Sequence, residues 1–436
     1  MSKFQIILTS IFVIFIVIGV VLFATYKGGE SETTLPKIVI WGTFPESLFT
    51  EYVSKLNLGR ADSLDIDYLE ISEANFDKTF IEALARGLGP DAILVSQDLI
   101  HKHEDKVVSI PYSVLSQRDF QNTFVQQAEL YLKSDGVLAL PFLLDPLVMY
   151  WNRDTFTNAG VAVFPTFWDE FSAIGQKINQ KDENSNVRKS VLAFGEFNNI
   201  SHAREILGTL FLQAGNPVTY RENDSLAMAS ALGERSYIAT GSSLPALNFF
   251  TKFSDPRNPD YSWNRSLPNS KSFFLSGNLA TYIGYASEIS DIRQKNPNLD
   301  FDVAPLPQAR GQKNADANRA TFGSMYGFSV VRSTFDANAT YSVLSALLTP
   351  AALTEMVTLS YLPPVRRDMI ASGSTDPYLS IFYDSALISK GWLDTNKAET
   401  YRIFQGIVES VTSGRKNPAE ALRDGSDEFD ISLKNI

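Results

Sequence analysis

No cysteine occurs among the 436 residues. That excludes a disulfide framework, a thiol nucleophile, a thiolate metal site and a lipid-attachment cysteine. Histidine is almost as scarce, with His101, His103 and His202 the whole complement. The run His101-Lys102-His103 sits in a charged stretch and reads as a solvated loop in preference to a metal site. Positive charge is also in deficit: the net charge of -11 argues against a nucleic-acid-binding surface and against anionic membrane surfaces as partners of the soluble part. Catalytic signatures are missing too, with no nucleophile elbow, phosphate loop or zinc-protease helix. Gly323-Ser324-Met325-Tyr326-Gly327 lacks the glycine required two residues before the serine. Asp182, Asn184 and Asn186 imitate the start of a calcium loop, but Val187 and Ala193 stand where its glycine and bidentate glutamate belong. No metal or cofactor is expected. There is no internal repeat and no low-complexity segment.

The strongest topological signal is at the N-terminus. Residues 4–26 are overwhelmingly apolar and uncharged, and as a helix they would run ~34 Å, enough to cross a bilayer. A cleaved signal peptide is the rival reading. Small residues at suitable cleavage spacing occur only beyond Gly29, well past the apolar core, so an uncleaved transmembrane anchor is preferred. Lys3 precedes it, which keeps the N-terminus cytoplasmic and the rest outside, although Lys27 weakens the bias. Residues 27–36 read as a tether.

The length implies two domains. The chain is organised around 141–152, where Pro141 and Pro146 fix φ and remove backbone donors. This stretch is expected to be an extended crossing, neither a helix interior nor a fully paired central strand, leading into a buried strand over 147–151. Asp145 is then either a solvated turn carboxylate or a polar anchor in a cleft. Before it, residues 37–95 alternate strand and helix as β-α-β-α-β, which implies a parallel sheet with a crevice at its strand ends. Trp41, Thr43, Ser96, Gln97 and Asp98 fall there. After it, a capping box at Thr166 and Asp169, a strand at 190–194 and a helix at 203–212 imply a second sheet with its own helices. A helix is expected at 241–253, a glycine turn and strand at 277–285, and strands at 301–307 and 323–331 around a mobile polar insert, 308–319. Helices follow at 339–359 and 397–413. A last one opens at Asn417-Pro418-Ala419-Glu420, with a cap, proline first and glutamate third.

What remains for function is a set of loop-borne aromatic and polar residues. Trp41, Tyr282, Tyr285, Tyr326 and Trp392 suit stacking on the apolar face of a sugar, and Asp98, Asp145 and Asn198 suit hydrogen bonds to hydroxyls. Core packing is the competing account of each aromatic. Asp98 and Asp145 as the acid and base of a glycoside hydrolase form the enzyme alternative.

From residue 37 to about 430 the chain resembles the extracellular solute-binding proteins of ABC importers, in the maltose-binding-like, sugar-binding branch (family 1). The matching pieces come in order: Ile38-Val39-Ile40-Trp41; Gly89-Pro90-Asp91-Ala92-Ile93 with Gln97-Asp98; Leu140-Pro141 through Tyr150-Trp151-Asn152-Arg153-Asp154, followed by Pro165-Thr166-Phe167-Trp168-Asp169-Glu170; the stretch 274–284; Ala304-Pro305-Leu306-Pro307; and Ser413-Gly414-Arg415 before Pro418-Ala419-Glu420-Ala421-Leu422. The resemblance implies an α/β, two-lobed periplasmic-binding-protein-like fold (type II) after the N-terminal transmembrane helix. It implies lobe 1 over 37–143 plus 287–337 and lobe 2 over 144–286 plus 338–436, with hinges near 141–145, 284–288 and 333–338. It further implies a non-enzymatic, monomeric, membrane-tethered protein that captures a carbohydrate outside the cell or in the periplasm for ABC permease subunits. Asp98 matches an acidic ligand contact, Asp145 a hinge carboxylate, and Tyr285 and Trp392 stacking residues. Departures are the missing lipid-bearing cysteine, for which the retained helix is the natural substitute, and Val95 where some sugar binders place tryptophan. A surface protein of the same fold binding a peptide, polyamine or protein is the third reading.

Overall fold

Strand β1 (Ile38–Gly42) is apolar on its inward positions and pairs in parallel with β2 (Ile66–Glu70) and β3 (Ala92–Ser96). Between them α1 (Glu46–Asn57) and α2 (Glu73–Ala85) bury Phe49 and Tyr52, and Phe76 and Phe80. This is the expected β-α-β-α-β unit. The computed structural model describes residues 37–58, 63–221, 228–233, 242–310 and 318–434. The expected anchor at 4–26 and tether at 27–36 lie outside the described residues. Among those described, no single helix is long and apolar enough to cross a membrane.

The crossing at Pro141 is more regular than the sequence suggests. Leu140–Asn152 forms one thirteen-residue strand, β4, continuous through the crossing; as expected, the proline-bounded first half is not a fully paired central strand. Its first half pairs antiparallel with β7 (Thr321–Val331), and its second half pairs with β5 (Thr281–Tyr285) and β6 (Phe301–Ala304). In the first half the described ladder runs on one side, apart from an isolated bridge from Leu143 to Pro364. Prolines are tolerated on such an edge because their missing N–H removes no ladder bond. The register with β7 also shifts between Tyr326 and Gly327.

A separate second sheet does not form among the large elements. Because β4 runs from one half to the other, one nine-stranded sheet results, ordered β5-β4-β7-β3-β1-β2, with β6 on β4 and two short strands on β7. The strand expected at 190–194 reduces to a bridge between Ser190 and Leu279. Helix α4 (Glu170–Ile178) buries Phe171, Ile174 and Ile178, and Glu170, not Asp169, accepts from the N–H groups of Thr166 and Phe167. The helix expected at 241–253 is α6 (Ser243–Thr251), which packs on α5 (Ala203–Gln213). At the C-terminal end, α9 (Pro377–Leu387) packs on β4, and α10 (Lys397–Thr412) and α11 (Pro418–Lys434) join α5 and α6. The expected capping box is present, with Glu420 N–H donating to Asn417 and Asn417 N–H to Glu420.

β6 joins β5 on the second half of β4. The long helix expected at 339–359 breaks at Pro350 into α7 (Ala337–Leu347) and α8 (Pro350–Ser360). α8 packs on α1, and Tyr52 Oη donates to Leu347 O at 2.6 Å at the end of α7. Proline at a first helical position starts α8 and cannot continue α7, which accounts for the break. Of the insert expected to be mobile, 311–317 lies outside the described residues, whereas Gln308 is buried and its side chain bonds Leu306 O and Ala320 N–H.

Candidate functional site

The segment after β3, expected to be a polar loop, is helix α3 (Gln97–Lys102), which carries Asp98 in its first turn. Facing it from the other lobe is the start of α5, which carries Arg204. Arg204 is 1% exposed. Its Nη1 donates to Glu205 Oε1 at 2.7 Å, its Nη2 donates to Asp394, and the same Nη2 stands 3.5 Å from Asp98 Oδ2. Its guanidinium lies over the ring of Trp392, 4.7 Å from the centroid. Burial alone would lower the arginine's pKa, but Asp394, Glu205 and Asp98 outweigh it and hold the charge firmly. For Asp98 the balance goes the other way. Burial pushes its carboxyl up to about 7, against the pull of Arg204 and with repulsion from Asp394 and Glu205.

Tyr285, at the end of β5, approaches this cluster closely enough to feel Glu205, Asp145, Arg204 and Asp98, and burial raises its phenol well above the ordinary range. Its ring meets that of His202 edge-on at 4.7 Å. His202 caps α5 in the left-handed region at φ 58, a conformation that costs a non-glycine residue roughly 1 kcal/mol. The ring is held by Glu288 at 2.7 Å. Glu288 also takes Lys271 at 2.5 Å and Tyr282 Oη at 2.9 Å. Burial would raise its carboxyl, but His202 and Lys271 bring it down to about 2.

Asp145 lies in β4 opposite Ser324 and accepts from Ser287 N–H at 3.1 Å. Burial raises it to about 7, only partly offset by Ser287. Tyr326, from β7, lies beside the Thr43 side chain, and burial pushes its phenol up to about 12, with Asp145 among the charges that add to the shift. The outer part of the interface is a cavity of about 680 Å³ whose walls include Glu73, Asp98 and Lys102 from one lobe and Thr395, Lys397 and Tyr401 from the other.

Of the residues singled out in the sequence, Asp98 and Trp392 meet Arg204 directly, Tyr285 stands within electrostatic reach of both Arg204 and Asp145, and Tyr326, beside Thr43, is within reach of Asp145. The remaining four are placed elsewhere or sideways to the cluster. Tyr282 is a core residue, 1% exposed and stacked between Tyr150 and Phe274. Asn198 is exposed and bonds Glu409 and Gln405 on α10. Trp41 packs against the core from β1. Gln97 is buried, accepting from Gln127 Nε2 at 2.7 Å. Trp392 is enclosed by Arg204, Gly208, Phe322 and Phe404, so its ring is a platform for the guanidinium and not an open stacking face. The histidine expectation is corrected as well: His101 and His103 are both buried, His103 beside Phe76 and Phe80 with Nε2 2.8 Å from Asp77. α3 turns them under the sheet, where a loop would have left them in water.

Sequence reasoning missed Arg204, Glu205, Asp394 and Thr395. The one available signal was a charged pair, Arg204-Glu205, opening a helix whose later residues are almost all apolar.

A family model described as bacterial extracellular solute-binding protein matches residues 92–379. The chain belongs to that family, which is one of binding proteins. Its two-lobed α/β architecture is shared with solved structures. A cyclo/maltodextrin-binding protein complexed with maltotetraose aligns over 93% of this chain and 100% of its own, at 16% identity and a TM-score of 0.71. The cyclic alpha-maltosyl-1,6-maltose binding protein from Arthrobacter globiformis aligns over 92% and 100%, at 17% identity and a TM-score of 0.73. An extracellular solute-binding protein from Staphylococcus aureus in complex with maltose aligns over 91% and 98%, at 13% identity and a TM-score of 0.69. No curated protein sequence matches the chain.

Proposed function

We propose that this protein captures a sugar or oligosaccharide between its two lobes, outside the cell, and delivers it to an ABC permease. In this reading residues 4–26 anchor it to the membrane and 27–36 tether the binding domain. The lobes rock about the strands they share, β4 and β7. The observation that carries the proposal is the convergence, at the lobe interface, of buried polar atoms without a hydrogen-bond partner: Asp98 Oδ1, Arg204 Nε and Thr395 Oγ1. Buried polar groups are ordinarily paired, so a cluster of unpaired ones beside a cavity suits a ligand rich in hydroxyls. Tyr285 supplies an aromatic wall beside them. Similarity of fold to proteins solved with maltose and maltotetraose supports a carbohydrate ligand.

Closure has visible partners. Arg204 meets Asp98, Arg221 Nη2 meets Glu104 Oε2 at 2.8 Å, and Lys397 meets Glu73 at 3.5 Å, each pair joining the two lobes. A ligand that binds the closed form more tightly shifts the population toward it, and the closed surface is what a permease would read. The glycoside hydrolase alternative fits less well. A hydrolytic pair needs its two carboxyls pushed apart in pKa, whereas burial moves Asp98 and Asp145 the same way, both to about 7. Calorimetric titration of the full chain with maltose, maltotetraose and mannobiose, with product analysis after prolonged incubation, tests the proposal. Saturable binding without turnover is expected; hydrolysis would overturn it.

A further inference from the structure

The carboxylates at the lobe interface are not equally matched. Arg204 is already served by Glu205 at 2.7 Å and by Asp394, which is 1% exposed at its side chain. Asp98 is the third and most distant acid, at 3.5 Å, and its Oδ1 is buried without a partner. Nearby cations have partners of their own. Lys397 meets Glu73 at 3.5 Å, and Lys102 meets Asp77. Three carboxylates therefore surround one guanidinium, and the unmet acceptor is Asp98 Oδ1. A second observation points into the same cavity: Thr395, 4% exposed, has a hydroxyl with no partner on the opposite wall.

We propose that the ligand presents a protonated amine to Asp98 Oδ1 and a hydroxyl to Thr395, which makes it an amino sugar. This rests on the sugar-binding reading of the same site. A hydroxyl donating to a carboxylate already makes a charge-assisted hydrogen bond, and an ammonium adds to it the Coulombic attraction of a full opposite charge in a buried setting. The ammonium also neutralises the charge that burial and the neighbouring acids disfavour, the condition that raises the Asp98 carboxyl. Arg204 reaches only the other oxygen, Asp98 Oδ2 at 3.5 Å, and its shorter contacts go to Glu205 and Asp394.

The test is calorimetry on the full chain near pH 7.5 with glucosamine oligosaccharides, their N-acetylated counterparts and maltooligosaccharides of equal length. The amine form is expected to bind about tenfold tighter than the acetylated form, with the preference abolished in Asp98→Asn and retained in Asp98→Glu. Should Asp98→Asn fail to fold, the same preference must decline in the wild type as pH falls through the Asp98 titration. Equal or tighter binding of the neutral sugars would overturn the amine inference and leave the sugar reading intact. Spermidine binding alone, lost in Asp98→Asn, would overturn the sugar reading while supporting the ammonium contact. Binding to neither class would overturn both.

Discussion

Arg204 and Asp98 face each other from opposite lobes with Nη2 3.5 Å from the carboxylate, while the same guanidinium binds Asp394 and Glu205 within its own lobe. The arginine is thus structural toward one lobe and available for recognition toward the other. Arg204→Met would strand Asp394 buried beside Thr400 with its counter-charge gone. Removing one partner of a buried ion pair costs about 3–5 kcal/mol. Urea unfolding should show that loss, and should show a smaller one for the double variant Arg204→Met, Asp394→Leu.

Trp392 and Tyr285 separate by function. Trp392→Ala should destabilise the fold by about 3–5 kcal/mol, as expected for deleting a fully enclosed aromatic side chain. Tyr285→Ala should leave the midpoint of unfolding much closer to wild type and weaken ligand binding by ~1 kcal/mol or more. Measuring both quantities for both variants decides the assignment; the reverse pattern would make Trp392 the stacking residue.

Gly208 is a sharper probe of the same packing. Replacing a helical glycine with alanine ordinarily stabilises by roughly 0.8–1 kcal/mol. Here an added Cβ would lie 2.5 Å from two atoms of the Trp392 ring. Gly208→Ala should therefore destabilise, by about 1–3 kcal/mol, through overpacking. A raised melting temperature would contradict the placement of α5 against Trp392.

The acids predict opposite pH effects. Asp98 and Asp145 have folded values near 7 against an ordinary 3.8. Between about pH 4 and 7 the folded protein holds protons that the unfolded chain has released, so on their account stability falls as pH rises through that window. Glu288 has a folded value of about 2 against 4.5. Its contribution is full above pH 4.5 and is lost as pH falls toward 2. Asp98→Asn should flatten part of the decline between pH 4 and 7, and Glu288→Gln should flatten the acid limb and cost about 1–3 kcal/mol at neutral pH. Denaturant midpoints across pH 3 to 8 measure both.

Much of the fold was legible because its elements follow local rules. The alternation of β1, α1, β2, α2 and β3 is written in hydrophobic period, and α11 announces itself by Asn417, Pro418 and Glu420. That β4 runs unbroken through both prolines was not legible, because proline interrupts a sheet only where its N–H is needed, and sequence does not show which edge is unpaired. The extent of α3 was missed for a related reason. Gln97-Asp98 looks like a loop until burial of Leu99, Ile100 and His101 under the sheet makes it a helix. At the site, Asp98, Asp145 and Tyr285 were visible as polar or aromatic residues at strand ends. Arg204 was not, because its main partner, Asp394, lies 190 residues away. An arginine in a first helical turn has no local mark of burial.

The measurement that bears most directly on the central claim is thermal unfolding of the full chain against a panel of neutral and amino sugars, with amino acids, peptides and polyamines as controls. A ligand at ~100 times its dissociation constant that binds only the folded form should stabilise it by ~2.7 kcal/mol. The account predicts a raised midpoint with one class of sugar, reduced by Tyr285→Ala. A midpoint unmoved by every sugar, or raised only by a peptide or polyamine, would contradict it.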